Sequence, residues 1–420
     1  MKHRTRWATA LVATMVLAAC GSAGSESPSG ADDKLVVWDW KSGDEAAAAY
    51  VQKAKKDFAA KHPDVSVEFV AQPFDQYYTL LGSAMQSGKG PDVMLFNGGG
   101  QLRDRADDLL ALDDHVAEDR RRLAGWDAFT LDGAVYAAPV TLQGHPIYYN
   151  KALYKEAGLD PEQPADTWDE FVDDCKTIAK ETGAKCLSVG NKEGFGIQFF
   201  LSALGSGVLS PMEYDEWIAG ERNWTSPRVR QLFELWQQAE KKGLNTEGPN
   251  STALFNDAFA RFESGDAAHV VGLMSDVGHW KEFRELLGEN DVGVMRAPAV
   301  TANAEPSLPY DGGIGYAVAK QTAHPKLAVD LVRSLTSKDA LAAFSDDAGA
   351  IASDTDIDVG GGGPARTAIM REVESGKPAL HVALSTKTLE LMGRLSQQLL
   401  SGSVGVDDAV RQLADSDRAG

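Results

Sequence analysis

Cysteine is scarce in this chain, with only Cys20, Cys175 and Cys186 among 420 residues. That excludes a disulfide-dense scaffold and a Cys-rich metal fold, which need larger, closely spaced sets. The eight histidines are scattered and form no His-Glu-x-x-His pair, so the ligand spacing of a zinc hydrolase is missing. There is no Gly-x-Ser-x-Gly nucleophile elbow. Between Gly82 and Gly90 the glycine spacing approaches a phosphate loop, but Lys89 is followed by Gly90 instead of Ser or Thr. Asp354, Asp356 and Asp358 approach a calcium loop, yet Val359 stands where such a loop needs Gly. Cations are the minority, 41 Lys and Arg against 61 Asp and Glu, for a net charge of −20. Such a balance opposes nucleic-acid binding, which relies on Lys and Arg neutralising phosphates. No catalytic residue, metal ligand or cofactor is therefore expected, and no nucleic-acid partner.

What is present begins at the N-terminus. Lys2, Arg4 and Arg6 precede an apolar stretch from Trp7 to Ala19, which ends in Leu17-Ala18-Ala19-Cys20-Gly21. A basic start, a short apolar run and small residues before a cleavage point make a secretory signal. The run is too short to span a bilayer, which takes about 20 apolar residues. A Cys directly after the small residues resembles a bacterial lipobox. Residues 1–19 are thus expected to be a lipoprotein signal peptide, and Cys20 the lipidated N-terminus that anchors the protein to the outer face of the cell membrane. Loss of the three leader cations takes the net charge from −20 to −23. Residues 20–33, rich in Gly, Ser and Ala, read as a flexible tether.

The body of the chain alternates strand and helix signals. Apolar runs at Leu35–Trp38, Val65–Val70 and Asp92–Phe96 alternate with helical stretches up to Ala60 and over Phe74–Gln86, the pattern of an α/β layer with a largely parallel sheet. Ligands on such sheets bind beyond the carboxyl ends of the strands. Here those ends carry Asp39-Trp40 and Asn97-Gly98. Thr167 with Glu170 three residues on is a capping-box signature opening a helix to Lys180. Further strands are expected at Ile147–Tyr149, Ala268–Met274, Asp291–Met295 and Gly313–Val318. Cys175 falls late in a helix and Cys186 opens a strand, so a disulfide between them is expected outside the cytoplasm; two buried free thiols are the alternative.

Several segments, taken in order, carry a likeness to a known family. They are Phe58–Pro63, Gly90-Pro91-Asp92-Val93, Asp132-Gly133 through Pro139, Tyr148–Leu159, Thr167–Phe171, Phe262–Ala268 ahead of Gly278-His279-Trp280, and Asp311-Gly312-Gly313. From Lys34 onward the chain resembles the sugar-binding extracellular solute-binding proteins of ABC importers, the family that includes the maltose-binding proteins. The resemblance implies a type II periplasmic-binding-protein fold, two α/β lobes with a hinge and a ligand cleft between them. Lobe one would hold residues 34–140 and about 297–345, lobe two about 145–296 and 346–420. The hinges would lie at Thr141–Gly144 and Arg296–Pro298.

The function it implies is capture of a carbohydrate, an oligosaccharide, by lobe closure and delivery to ABC permease subunits, by a monomer that performs no chemistry. A binder of another solute (a polyol, a phosphodiester or a peptide) is the alternative, and a secreted glycosidase a more distant one. Aromatic planes cover the C–H faces of a sugar, while carboxylates and amides pair with its hydroxyls. The expected ligand-binding residues are Trp40 and Asn97 at strand ends, Gln143 in the crossing segment where maltose binders carry a Glu, Trp280 where the family places a stacking aromatic, and Asp75, Phe195 and Asp311 by position. Where some members carry a further aromatic, this sequence has His381–Leu384. Trp168, Trp217 and Trp236 read as helix-packing residues.

Overall fold

The computed structural model describes residues 34–274, 279–357, 363–373 and 377–419; Cys20 and the tether lie outside them. The chain opens on β1 (Lys34–Asp39), whose side chains alternate between core and surface, and continues through β2 (Ser66–Ala71) and β3 (Val93–Asn97), apolar and buried up to its last residue. A two-strand ladder, β4 (Thr130–Leu131) with β5 (Ala134–Val135), precedes β6 (Ala137–Pro139). The chain then crosses on β7 (Leu142–Gly144) into a second sheet of β8 (Ile147–Asn150), β9 (Lys185–Ser188), β10 (Ala267–Val271) and β11 (Val292–Met295). It returns on β12 (Tyr310–Gly312) to β13 (Ile314–Val318).

The first sheet runs β2-β1-β3-β13-β6 and the second β11-β8-β10-β9. Neither is wholly parallel. β13 lies antiparallel to β3 and β6, and β8 antiparallel to β10 and β11, because both enter from the crossing segments against the grain of the local strand–helix units. Each sheet has its own core. In the first, Tyr50 and Phe58 of the helix Ala48–Lys61 pack with Leu35, Leu95, Tyr316 and Phe344. In the second, Phe171, Ile178, Phe200, Trp236, Leu395 and Leu413 meet. Trp168, Trp217 and Trp236 are all buried there.

Helix starts are chemically marked. The Thr167 hydroxyl accepts from the Glu170 amide while the Glu170 carboxylate accepts from the Thr167 amide, a capping box that opens the helix Trp168–Thr182. Cys175 of that helix is joined to Cys186 of β9 by a disulfide, Cα atoms 4.9 Å apart and both side chains buried. No helix among the described residues is long and apolar enough to cross a membrane.

The lobe boundaries differ from those expected. Ala297, Val300 and Leu308 pack with the second-lobe cores, and Ala299 pairs with Asp166 and Trp168 across backbone hydrogen bonds. The return to the first lobe therefore comes at β12, not at Arg296–Pro298. A third crossing follows the helix Lys338–Ala348. There Ala350, Ala352 and Ile357 still belong to the first-lobe core, so that lobe runs to residue 357 rather than 345. Arg296–Pro298 combines a charge with a proline and so signals a turn, but a turn does not reveal which core the chain joins next.

The three crossings hold one another. β12 pairs antiparallel with β7, Asp311 opposite Gln143. The amide of Leu142 donates to the Ile351 carbonyl at 2.8 Å, and Thr141 bridges to Ala352.

Candidate ligand-binding cleft

A cleft of about 1640 Å³ opens between the lobes, floored by the crossing strands. Its first-lobe wall is delivered by the carboxyl ends of β1 and β3. Asp39 is fully buried at the end of β1; its carboxylate accepts from the amides of Lys41 and Ser42 and from the Tyr316 hydroxyl. Those bonds shape the turn that presents Trp40. Burial raises the Asp39 carboxyl above its ordinary proton affinity, and the same hydrogen bonds partly oppose that rise.

Trp40 packs against Phe74 and Tyr78, with ring centroids 5.3 and 6.1 Å away. The helix Phe74–Gln86 divides its faces by period: Tyr77 and Leu81 go to the core, Phe74 and Tyr78 line the cleft. The Asn97 amide donates to the Tyr78 hydroxyl, tying the end of β3 to this wall, while the Arg105 guanidinium covers the Tyr78 ring.

The second-lobe wall is also aromatic. Phe195 and Phe199 open the helix Gly196–Val208 toward Phe255, at 6.4 and 6.0 Å between centroids. Phe255 sits in a π-helical turn, Leu254–Ala258, and is 42% exposed; Phe74, on the other lip, is 47% exposed. Between the walls lie Gln143, His145, His279 and His381. His145 is wedged against Phe199 and His381, 4.3 and 5.1 Å between ring centroids. Loss of hydration, helped by His381, pushes its imidazole well below the ordinary histidine range, and His381 is brought down to about 4 by the same loss. Both rings are neutral at physiological pH.

On the side where the lobes meet, Gly99 and Gly100 lie against Val382 and Thr386. A Cβ on Gly100 would stand 2.9 Å from Thr386 Oγ1, and Gly99 has φ +92°. Backbone meets backbone there, which only glycine permits.

Of the residues expected from sequence, Trp40, Asp75, Asn97, Gln143 and Phe195 all line the cleft. Trp280 and Asp311 do not, and both expectations are corrected. Trp280 is 3% exposed; its indole N–H donates to the Gly349 carbonyl at 2.8 Å, and the Arg284 guanidinium lies over its ring. The helix His279–Leu287 turns His279 into the cleft, so Trp280, one residue on, faces the third crossing. Asp311 is buried beneath the floor, its Oδ1 accepting from the amides of Ala128 and Gly312. Sequence reading missed Phe74, Tyr78, Phe199, Phe255 and His145. The i, i+4 pair Phe74 and Tyr78, set off from Tyr77 and Leu81, was the available signal for one wall.

Residues 40–342 match the family model of the bacterial extracellular solute-binding proteins. The chain belongs to that family. Its members are binders rather than enzymes, and the resemblance read from the sequence holds. The maltodextrin-binding protein MdxE of Bacillus subtilis is 27% identical over 320 residues, 74% of this chain and 71% of that one. The lactose-binding protein of Rhizobium radiobacter is 22% identical over 314 residues, 73% and 71% of the two chains. In structure, a chitin oligosaccharide binding protein superposes with a TM-score of 0.79 at 20% identity, covering 93% of this chain and 100% of that one. The fold is accordingly the type II arrangement of the maltose-binding proteins.

Two outcomes follow for this solute-binding protein. Trp280→Ala removes a buried indole from the lobe junction and is expected to cost about 3–5 kcal/mol of stability, read as a lower urea midpoint; a variant of unchanged stability refutes the packing role. Asp311 is pushed from 3.8 up to about 7 by burial, with Asp127 adding to the rise. A carboxyl that binds its proton more tightly when folded stabilises most in acid, and that stability is lost as pH rises between those two values. Asp311→Asn should therefore flatten the fall in melting temperature between pH 4 and pH 8; an unchanged profile counts against it.

Proposed function

We propose that this protein is a lipid-anchored, extracytoplasmic substrate-binding component of an ABC importer. It captures a carbohydrate, an oligosaccharide, by closure of the two lobes and delivers it as a monomer to the permease. The observation that carries this reading is a pair of opposed aromatic walls over a hydrogen-bonding floor. Trp40, Phe74 and Tyr78 face Phe195, Phe199 and Phe255, an arrangement suited to the two C–H faces of sugar rings. The cleft, at about 1640 Å³, exceeds the roughly 300–1,000 Å³ of ordinary small-molecule pockets, which favours more than one ring. Relatives named for lactose and maltodextrin, and a structural neighbour named for chitin oligosaccharide, support the class.

Asp75 at the head of the helix Phe74–Gln86, Asn97 and Gln143 are the proposed hydroxyl partners. Hinge bending about the paired crossings would bring the walls together. Cys20 would hold the binder close to its permease and raise the local concentration of captured solute.

Titration calorimetry against glucose, lactose, maltotriose and chitotriose tests the carbohydrate reading. Stoichiometric binding of at least one oligosaccharide is expected, tighter than glucose, and about tenfold weaker in Trp40→Ala. Binding of a peptide or phosphodiester, with all four sugars silent, would refute it. The anchor is tested separately: Cys20→Ala should move the protein from the membrane fraction to the medium, and unchanged fractionation disproves lipidation.

A further inference from the structure

Among the described residues, three buried side-chain polar atoms of the cleft lining lack a hydrogen-bond partner: Gln143 Oε1, His145 Nδ1 and Thr386 Oγ1. A buried polar atom left unpaired is destabilising, and native structures keep few of them without a reason. Gln143 and His145 sit together on the floor, in β7 and just after it. His145 is 3% exposed, and its ring is fixed by Phe199 on one side and His381 on the other. His381 offers it no help, because its Nδ1 is already engaged with the Ser202 hydroxyl at 2.7 Å.

The floor therefore presents a rigid imidazole and an amide. A neutral imidazole has one donor and one acceptor nitrogen, and a primary amide also offers both. A hydroxyl donates and accepts, so two neighbouring hydroxyls on a ring edge can satisfy the pair. A carboxylate or phosphate only accepts. Charge works in the same direction, since the lining holds seven carboxylate side chains against three cationic ones. Of those cations, Arg105 is bonded to Gln101 and the Tyr78 carbonyl, and Lys41 is paired with Asp44.

We propose that His145 is a ligand-contacting, specificity-determining residue, which together with Gln143 hydrogen-bonds adjacent hydroxyls of an uncharged sugar ring on the cleft floor. It rests on the carbohydrate reading above. Its ring also forms the meeting point of the second-lobe aromatic wall and the crossing strand, so a hydroxyl bonded there is held where both lobes converge.

The test carries the tightest of lactose, maltotriose and chitotriose into calorimetry with the intact protein, His145→Phe and His145→Asn. His145→Phe keeps a flat ring without hydrogen-bonding atoms and should bind about tenfold more weakly; His145→Asn should stay within roughly threefold. Digalacturonate should bind at least about tenfold more weakly than the neutral sugar. In the unmutated protein, the His145 imidazole ¹⁵N resonances should shift when the sugar is added, a readout that stands even if His145→Phe does not fold. Unchanged resonances, undiminished binding by a folded His145→Phe, or tighter binding of digalacturonate each overturns the proposal. Those results leave the carbohydrate reading in place. Silence of glucose and of all three oligosaccharides toward the unmutated protein, with a peptide or phosphodiester bound instead, removes both.

Discussion

Three extended segments pass between the lobes, and their hydrogen bonds to one another set the geometry of everything else. β7 and β12 form a two-stranded ladder with Gln143 opposite Asp311, and the third crossing adds a bond from the Leu142 amide to Ile351. Were the crossings independent, each lobe would swing on loose tethers and the cleft would have no defined floor. Paired, they give a short ribbon stiff across its width. The buried Asp311 carboxylate fastens that ribbon to Ala128 below it, and Trp280 fastens the second lobe to the third crossing through Gly349. The two residues displaced from the expected site are thus structural members of the joint on which the site depends.

Above this ribbon the cleft divides its tasks by element. Strand ends supply Trp40 and Asn97 with positions fixed by buried hydrogen bonds, so the first-lobe wall is preorganised. The second wall hangs on a helix start and a π-helical turn, where the backbone is less regular. A rigid wall opposite a less regular one suits a family that binds by closing, because surface that moves should not be surface that must be built from a central strand. The unpaired atoms of Gln143 and His145 sit on the floor, between the two walls.

Much of this was legible in the sequence. β1 and β3 declare themselves as apolar runs bounded by charge, Gly and Pro, and Thr167 with Glu170 marks its helix start by chemistry alone. The helix Gly196–Val208 was invisible as a helix because all of its residues except Gln198 are buried. Without a polar face it has no 3.6-residue period to detect. β6, β7 and β12 are too short for any period, and the pairing of Gln143 with Asp311 joins residues far apart in the chain. The choice between His279 and Trp280 turns on one step of helical rotation. Residue type favoured the indole, and the packing around Gly349 decided otherwise.

The strand order of the first sheet has a consequence for how the chain is made. β13 lies between β3 and the edge strand β6, so when β6 leaves the ribosome the one strand it pairs with has not yet been made. The whole of the second sheet is synthesised before Ile314–Val318 arrives to fill it. The second lobe waits longer still, since Leu395 and Leu413 of its core come from the last helices. Neither half can close its core before most of the polypeptide exists, so compaction is deferred to the end of synthesis. That deferral is written into the topology.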